Sequence, residues 1–139
     1  MADSKEQEAL IARIPILAWI GMRHVDSGDP EIFSIEIDLN DNLDNGAGTV
    51  HGGVIATLID HTGGTAVEAL AGRRGPTVNL HIHYLASARS GPLRAEARIV
   101  KAGRHLVVTE TRVLDGEGRL LATASMTTFV TTIGNTPPG

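Results

Sequence analysis

VIATLIDHTGGTAVEALA (54–71), closed by Gly72, is the stretch on which the fold turns. It contains no proline and is rich in Ala, Leu, Ile and Val, and a glycine stands where a helix C-terminus favours one. A helix over 54–71 is therefore predicted. Ile55, Leu58, Ile59, Thr62, Ala66 and Leu70 recur at helical spacing and form one apolar stripe for a core. Gly53, Ala56, Thr57, Asp60, Gly63, Gly64 and Val67 form a second face of small residues around a single carboxylate. Two glycines inside a helix cost about 1 kcal/mol each relative to alanine. Small side chains there serve close approach by another backbone or by a ligand. Asp60 is then either a solvated acid on a wet face or a catalytic acid on a rigid element.

Working outward, Val50-His51-Gly52-Gly53 precedes the helix. The first N–H groups of a helix lack intrahelical partners and the dipole is positive there, a good place for a carbonyl oxygen that gains charge. Gly53 lets a ligand come close. Asp60 lies about 12 Å further along the axis at 1.5 Å per residue, too far for both groups to meet one carbon within a single helix. Either the first residues of the segment are loop folding back, or the acid and the donor come from two chains of a symmetric dimer, which the small-residue face of the helix favours. The polar run Asn40 to Thr49 is long for a connection and reads as a functional loop.

On the N-terminal side, Ser4 is a candidate cap for a short helix over residues 1–13, ended by Pro15. β-rich stretches follow at Trp19 to Val25 and Ile32 to Asp38. In the second, Ile35 and Ile37 oppose Ser34, Glu36 and Asp38, a strand with one wet face. Beyond the helix, Thr77 to Leu85, Leu93 to Lys101, Arg104 to Leu114 and Arg119 to Thr132 read as strands separated by turns, an antiparallel meander. The expected class is α+β, with one long helix beside about six antiparallel strands in a single domain over 1–139. Residues 134–139 are expected to be a frayed tail.

Composition narrows the function. The 139 residues carry no cysteine, which excludes disulfide scaffolds, thiolate zinc sites and a cysteine nucleophile. Sixteen acidic against twelve basic side chains give a net charge of -4, the wrong sign for a nucleic-acid binder. No apolar run reaches the roughly 20 residues of a spanning helix, and the acidic start shows no secretory pattern, so the expected location is cytoplasmic.

Asn45-Gly-Ala-Gly-Thr-Val-His51-Gly52-Gly53, Leu58-Ile59-Asp60, Gly63-Gly64, Thr77-Val78-Asn79-Leu80-His81-Ile82-His83-Tyr84-Leu85 and Gly103-Arg104 together resemble the hot-dog-fold acyl-CoA thioesterases, in particular their PaaI-like, phenylacetate-degradation branch. The resemblance covers roughly Trp19 to Val130. It implies a long helix wrapped by an antiparallel sheet, a homodimer or homotetramer, and active sites between protomers. The substrate it implies is an acyl-CoA with a small, medium or aryl acyl group, and no separate cofactor. Carried over by position, Asp60 is the general base or nucleophile, and the Gly52 N–H polarises the thioester carbonyl. His51 supports that loop, Asn45 helps place water or thioester, and Thr77 orients the water. Gly53, His61, Arg74 and Arg104 are substrate-binding candidates. The proline common after the Tyr84-Leu85 strand is absent.

Other signals weigh less. His81 and His83 share a strand face, and with no cysteine and no acid nearby in sequence a polar row is expected there, with no metal site. Arg73, Arg74, Arg89, Lys101 and Arg104 near turns are candidates for coenzyme A phosphates. Trp19, Ile16 and Leu17 are expected in core packing. The alternatives are a hot-dog hydratase or dehydratase and a non-catalytic acyl-CoA-binding protein.

Overall fold

A computed structural model describes residues 4–131. The elements run α1 (Ser4–Arg13), α2 (Pro15–Ile20), β1 (Arg23–Val25), β2 (Phe33–Ile37), a 3-10 turn (Asp41–Leu43), α3 (Gly52–Ala71), β3 (Thr77–Tyr84), β4 (Leu93–Ala102), β5 (Leu106–Leu114) and β6 (Leu120–Phe129). The side chain of Ser4, with its expected cap, and the tail at 134–139 lie outside the described residues.

All six strands form one antiparallel sheet in the order β1-β2-β4-β5-β6-β3. This is the expected helix-and-sheet architecture, but the path is not a simple meander. β1 and β2 follow one another, as do β4, β5 and β6, but β3 adds beyond β6 at the far edge. From β2 to β3 the chain must cross four strand spacings, about 19 Å. The 20 residues of α3 make a rod of about 30 Å, long enough to make that crossing over one face of the sheet. Ile55, Leu58, Ile59, Thr62 and Ala66 are buried against that face with Ile35, Ile37, Leu93 and Leu121, so the stripe read from the sequence is core. Gly72 closes the helix in the left-handed region at φ 67°.

Three expectations change. Pro15 starts a second helix, where its missing N–H costs nothing, so Trp19 and Ile20 are helical and the strand begins only at Arg23. Leu17 joins the core, but Ile16 and Trp19 are exposed. The second face of the β2 stretch is wet only at its end: Ser34 is buried and Glu36, half-buried, accepts from Arg23 at 3.1 Å and Arg94 at 2.9 Å, whereas Asp38, just past the strand, is exposed. The small-residue face of α3 also divides. Gly63 is buried, and a Cβ on it would lie 2.8 Å from Met126 Cε and 3.2 Å from Thr109 Oγ1, so here the close approach is to the chain's own sheet. A Cβ on Gly64 would meet nothing within 4 Å. Among the described residues, no helix is long and apolar enough to cross a membrane.

Candidate active site

Asp60 sits in mid-α3 with its side chain exposed, and β3 begins beside it. Thr77, the first residue of β3, donates its hydroxyl to Asp60 Oδ1 at 2.7 Å. The contact follows from topology. Gly72 ends the helix, and the chain returns through 73–76 to the end of β6, where Phe129 N–H donates to Pro76 O at 2.9 Å. Gly75 makes this return possible, since a Cβ there would lie 1.6 Å from Phe129 O. Asp60 Oδ2 has no hydrogen-bond partner among the described residues, so one carboxylate oxygen is fixed and the other is open.

The second group of candidates lies at the start of α3. His51 is the N-cap: its Nδ1 accepts from Gly53 N–H at 2.8 Å, and its carbonyl accepts from Val54 N–H at 2.9 Å and Ile55 N–H at 3.3 Å. Its own N–H donates to Leu43 O at 2.7 Å and ties the cap to the 3-10 turn. One residue thereby satisfies three of the four orphan donors of the helix. The Gly52 N–H is left without a partner among the described residues, a free donor at the positive end of a 20-residue helix. Gly53 is exposed, but its N–H is taken by His51. Asn45 turns inward on its own loop: Nδ2 donates to Thr49 Oγ1 at 2.7 Å and Oδ1 accepts from Ala47 N–H at 2.8 Å.

Within one chain the structure brings Thr77 to Asp60 and His51 to Gly52 and Gly53. It does not bring the two groups together. A cleft of about 330 Å³ opens at Asp60, with His61, Gly64 and Arg74 on its walls, together with Leu10 of α1 and Ile14 between α1 and α2. Burial holds the His61 imidazole below its usual value despite the opposing pull of the Asp60 charge, and its buried Nε2 has no hydrogen-bond partner among the described residues. His61 is thus a neutral wall of the cleft. Arg74 pairs with Glu68 at the same cleft. A larger hollow of about 600 Å³, between the β1–β2 loop and the end of α3, contains none of the candidate residues.

The arginines divide by partner. Arg73 donates to the carbonyls of Gly103 and Arg104 and fastens the exit of α3 to the β4–β5 turn, so it is not free for a phosphate. The Arg104 side chain is exposed. His81 and His83 lie exposed on β3 with their Nε2 atoms 3.2 Å apart; among the described residues, no three His, Asp or Glu side chains are grouped as metal ligands would be. Sequence reasoning missed Tyr84, whose hydroxyl donates to Gly52 O at 2.7 Å from the far end of β3. The available signal was that the one tyrosine of the chain ends a strand inside the resembling segment.

The thioesterase superfamily model matches residues 47–122, more than half of the chain, a span that includes His51, Gly52, Asp60 and Thr77 but not Asn45. The chain belongs to the thioesterase superfamily. A candidate esterase of Saccharolobus solfataricus is 33% identical over 125 residues, covering 89% of this chain and 83% of that protein. Human acyl-coenzyme A thioesterase 13 is 30% identical over 90 residues, covering 63% of this chain and 64% of its own. A Streptococcus mutans protein solved with acetyl CoA superposes with a TM-score of 0.74 at 28% identity, over 83% of this chain and 92% of that one. This thioesterase is therefore an enzyme of the thioester-hydrolase class, on the hot-dog fold that its residues resembled.

Proposed function

We propose that this thioesterase hydrolyses acyl-CoA, with a small, medium or aryl acyl group, to free acid and CoA at a seam between two protomers. The observation that carries the reading is the 2.7 Å bond by which Thr77 fixes one oxygen of an exposed Asp60 over a cleft. Relatives named for acyl-CoA hydrolysis, or solved with acetyl CoA, support the substrate class. In the hydrolysis, a water oxygen bonds to the thioester carbonyl carbon and its proton passes to the open oxygen of Asp60. The carbonyl oxygen gains charge against the Gly52 N–H. The C–S bond then breaks, and the CoA thiolate leaves and takes up a proton. If Asp60 acts instead as nucleophile, its oxygen bonds to the carbon first and water opens the resulting anhydride. A single turnover in ¹⁸O-water identifies the nucleophile when label appears in the Asp60 carboxylate, because water that opens the anhydride at the Asp60 carboxyl carbon leaves its oxygen there, whereas the general-base route places it only in the released acid. The reading requires no metal or cofactor, since a thioester is already activated and both reacting groups come from the chain.

The two-chain part rests on β3. It is an edge strand, and Val78 and Tyr84 on it are exposed; such an edge is a template for another strand. Thr77 and Tyr84 lie at opposite ends of its eight residues, about 24 Å apart at 3.4 Å per residue. Thr77 holds Asp60, and Tyr84 holds Gly52. Antiparallel pairing of β3 with its twin sets the start of one strand beside the end of the other. Asp60 of one copy then faces Gly52 of the second, which closes the 12 Å gap left within one helix. The minimal unit is a homodimer, a homotetramer being a pair of these, in a cytoplasmic setting. Arg89, Lys101 and Arg104 are exposed and remain phosphate candidates, as does Arg74, exposed but paired with Glu68.

Thiol release from a panel of acyl-CoAs tests the reading. Wild type should release CoA from at least one, and Asp60→Asn should lower kcat by about two to four orders of magnitude, the range of general base catalysis. Near-full activity in that variant removes Asp60 from the chemistry. Hydration of an enoyl-CoA without thiol release, or tight binding without turnover, points to the two alternatives.

A further inference from the structure

The assignment of Gly52 as the oxyanion donor leaves open what holds its peptide still. An oxyanion donor works when it is fixed before charge develops. The glycine supplies little rigidity of its own, and the free N–H must stay aimed outward from the helix end. His51 fixes the N-terminal side through its N–H to Leu43 O at 2.7 Å and its ring nitrogen to Gly53 N–H. The C-terminal side of Gly52 is fixed by a residue 32 positions further on: the Tyr84 hydroxyl donates to Gly52 O at 2.7 Å, and its ring atoms come within 3.5 Å of where a Gly52 Cβ would be. The main chain just past Tyr84 is itself anchored, because the N–H groups of Leu85 and Ala86 both donate to Leu121 O, at 2.8 and 3.2 Å.

We infer that Tyr84 is a positioning residue for catalysis: from the end of the edge strand β3 it clamps the Gly52 carbonyl and so orients the Gly52 N–H toward the thioester oxygen. The inference rests on the acyl-CoA hydrolysis reading above. The side chain is 53% exposed, and one hydroxyl on an exposed ring contributes little to the core. A half-exposed tyrosine whose hydroxyl is spent on the carbonyl next to the catalytic N–H is placed for geometry more than for stability. Strand pairing of two copies at β3 puts the same ring at the seam, so assembly and donor alignment share one side chain.

Tyr84→Phe keeps the ring and deletes only the clamp. For the acyl-CoA that wild type hydrolyses best, kcat should fall about tenfold, the upper range for one neutral hydrogen bond, with KM within twofold and an unchanged melting temperature. A second measurement compares two unreactive ligands: an oxoalkyl-CoA, which keeps the carbonyl, and an S-alkyl-CoA, which lacks it. Tyr84→Phe should weaken the first several-fold and leave the second unchanged, a difference that a purely structural tyrosine does not produce. A kcat within twofold of wild type, or equal weakening of both ligands, overturns the inference alone. Absence of thiol release by wild type from any acyl-CoA overturns the hydrolysis reading and this inference with it.

Discussion

Replacing Thr77 with valine removes one hydroxyl and little else. That hydroxyl donates to Asp60 Oδ1 at 2.7 Å and its oxygen lies 3.9 Å from Met126 Sδ. A hydrogen bond to a charged group contributes about 1.5–3 kcal/mol, and exposure places this one near the lower end. If the bond fixes the rotamer in which Oδ2 meets the water, its loss raises the barrier by about 1.5–2 kcal/mol, which is about a 10- to 30-fold fall in kcat. Valine has the same shape and suits an exposed strand position, so the stability change should stay within about 0.5 kcal/mol, about 2 °C in melting temperature. The assay is CoA release read by a thiol reagent, beside a melting curve of the same preparation. Thr77→Ser, which keeps the donor, should retain activity within about threefold of wild type, since the bond that carries the effect survives. A valine variant within twofold of wild type, or a serine variant as impaired as valine, refutes the orienting role.

Two further outcomes follow from the structure. Gly63→Ala and Gly64→Ala carry the same helix-propensity gain of about 1 kcal/mol, but only at Gly63 does the new methyl meet Met126 and Thr109. Overpacking costs about 1–3 kcal/mol, and because the nearest atom, Met126 Cε, is the movable end of its side chain the cost falls at the low end, so urea unfolding should find Gly64→Ala the more stable by about 1 kcal/mol; equal stabilities would show that the sheet does not press on Gly63. Asp115, buried at the β5–β6 turn, is pushed up by burial but pulled further down by the backbone N–H groups of Arg119, Arg89 and Glu117 and by the Arg119 charge, so its carboxyl lies below the usual range. Its folded value is depressed, so its stabilisation is full above the unfolded value of about 3.9 and is lost as pH falls through the folded value. Asp115→Asn should lower the melting temperature at pH 7, and the gap to wild type should narrow as the pH drops below about 4; a constant gap would remove the charge from the explanation.

Much of the fold was legible because the patterns are local. The stripe from Ile55 to Ala66, the Gly72 stop and the turns at Ala102-Gly103 and Asp115-Gly116-Glu117-Gly118 depend on residues within a few positions of one another. Legibility failed where the deciding neighbour is distant. Ser34 looked wet because it alternates with the apolar Phe33 and Ile35 and shares a face with Glu36, yet it is buried, and the arginines at 23 and 94 reach the same face through Glu36. Pro15 stops one helix and starts the next, and a break looks the same from either side. The β3 crossover was hidden because strand order is set by which edge a 30 Å helix reaches.

By itself, the sequence determined which residues are chemically able: one carboxylate among small side chains, and glycine N–H groups at a helix start. These follow from residue type and spacing along one element. Only the tertiary structure decided that Thr77 holds Asp60, that His51 uses up the other donors and leaves the Gly52 N–H free, and that Tyr84 reaches back to Gly52. The His51 contacts are local, but the Thr77 and Tyr84 contacts join residues separated by 17 and 32 positions. Such pairs are chosen by how a helix crosses a sheet, a choice made by the burial of the whole core.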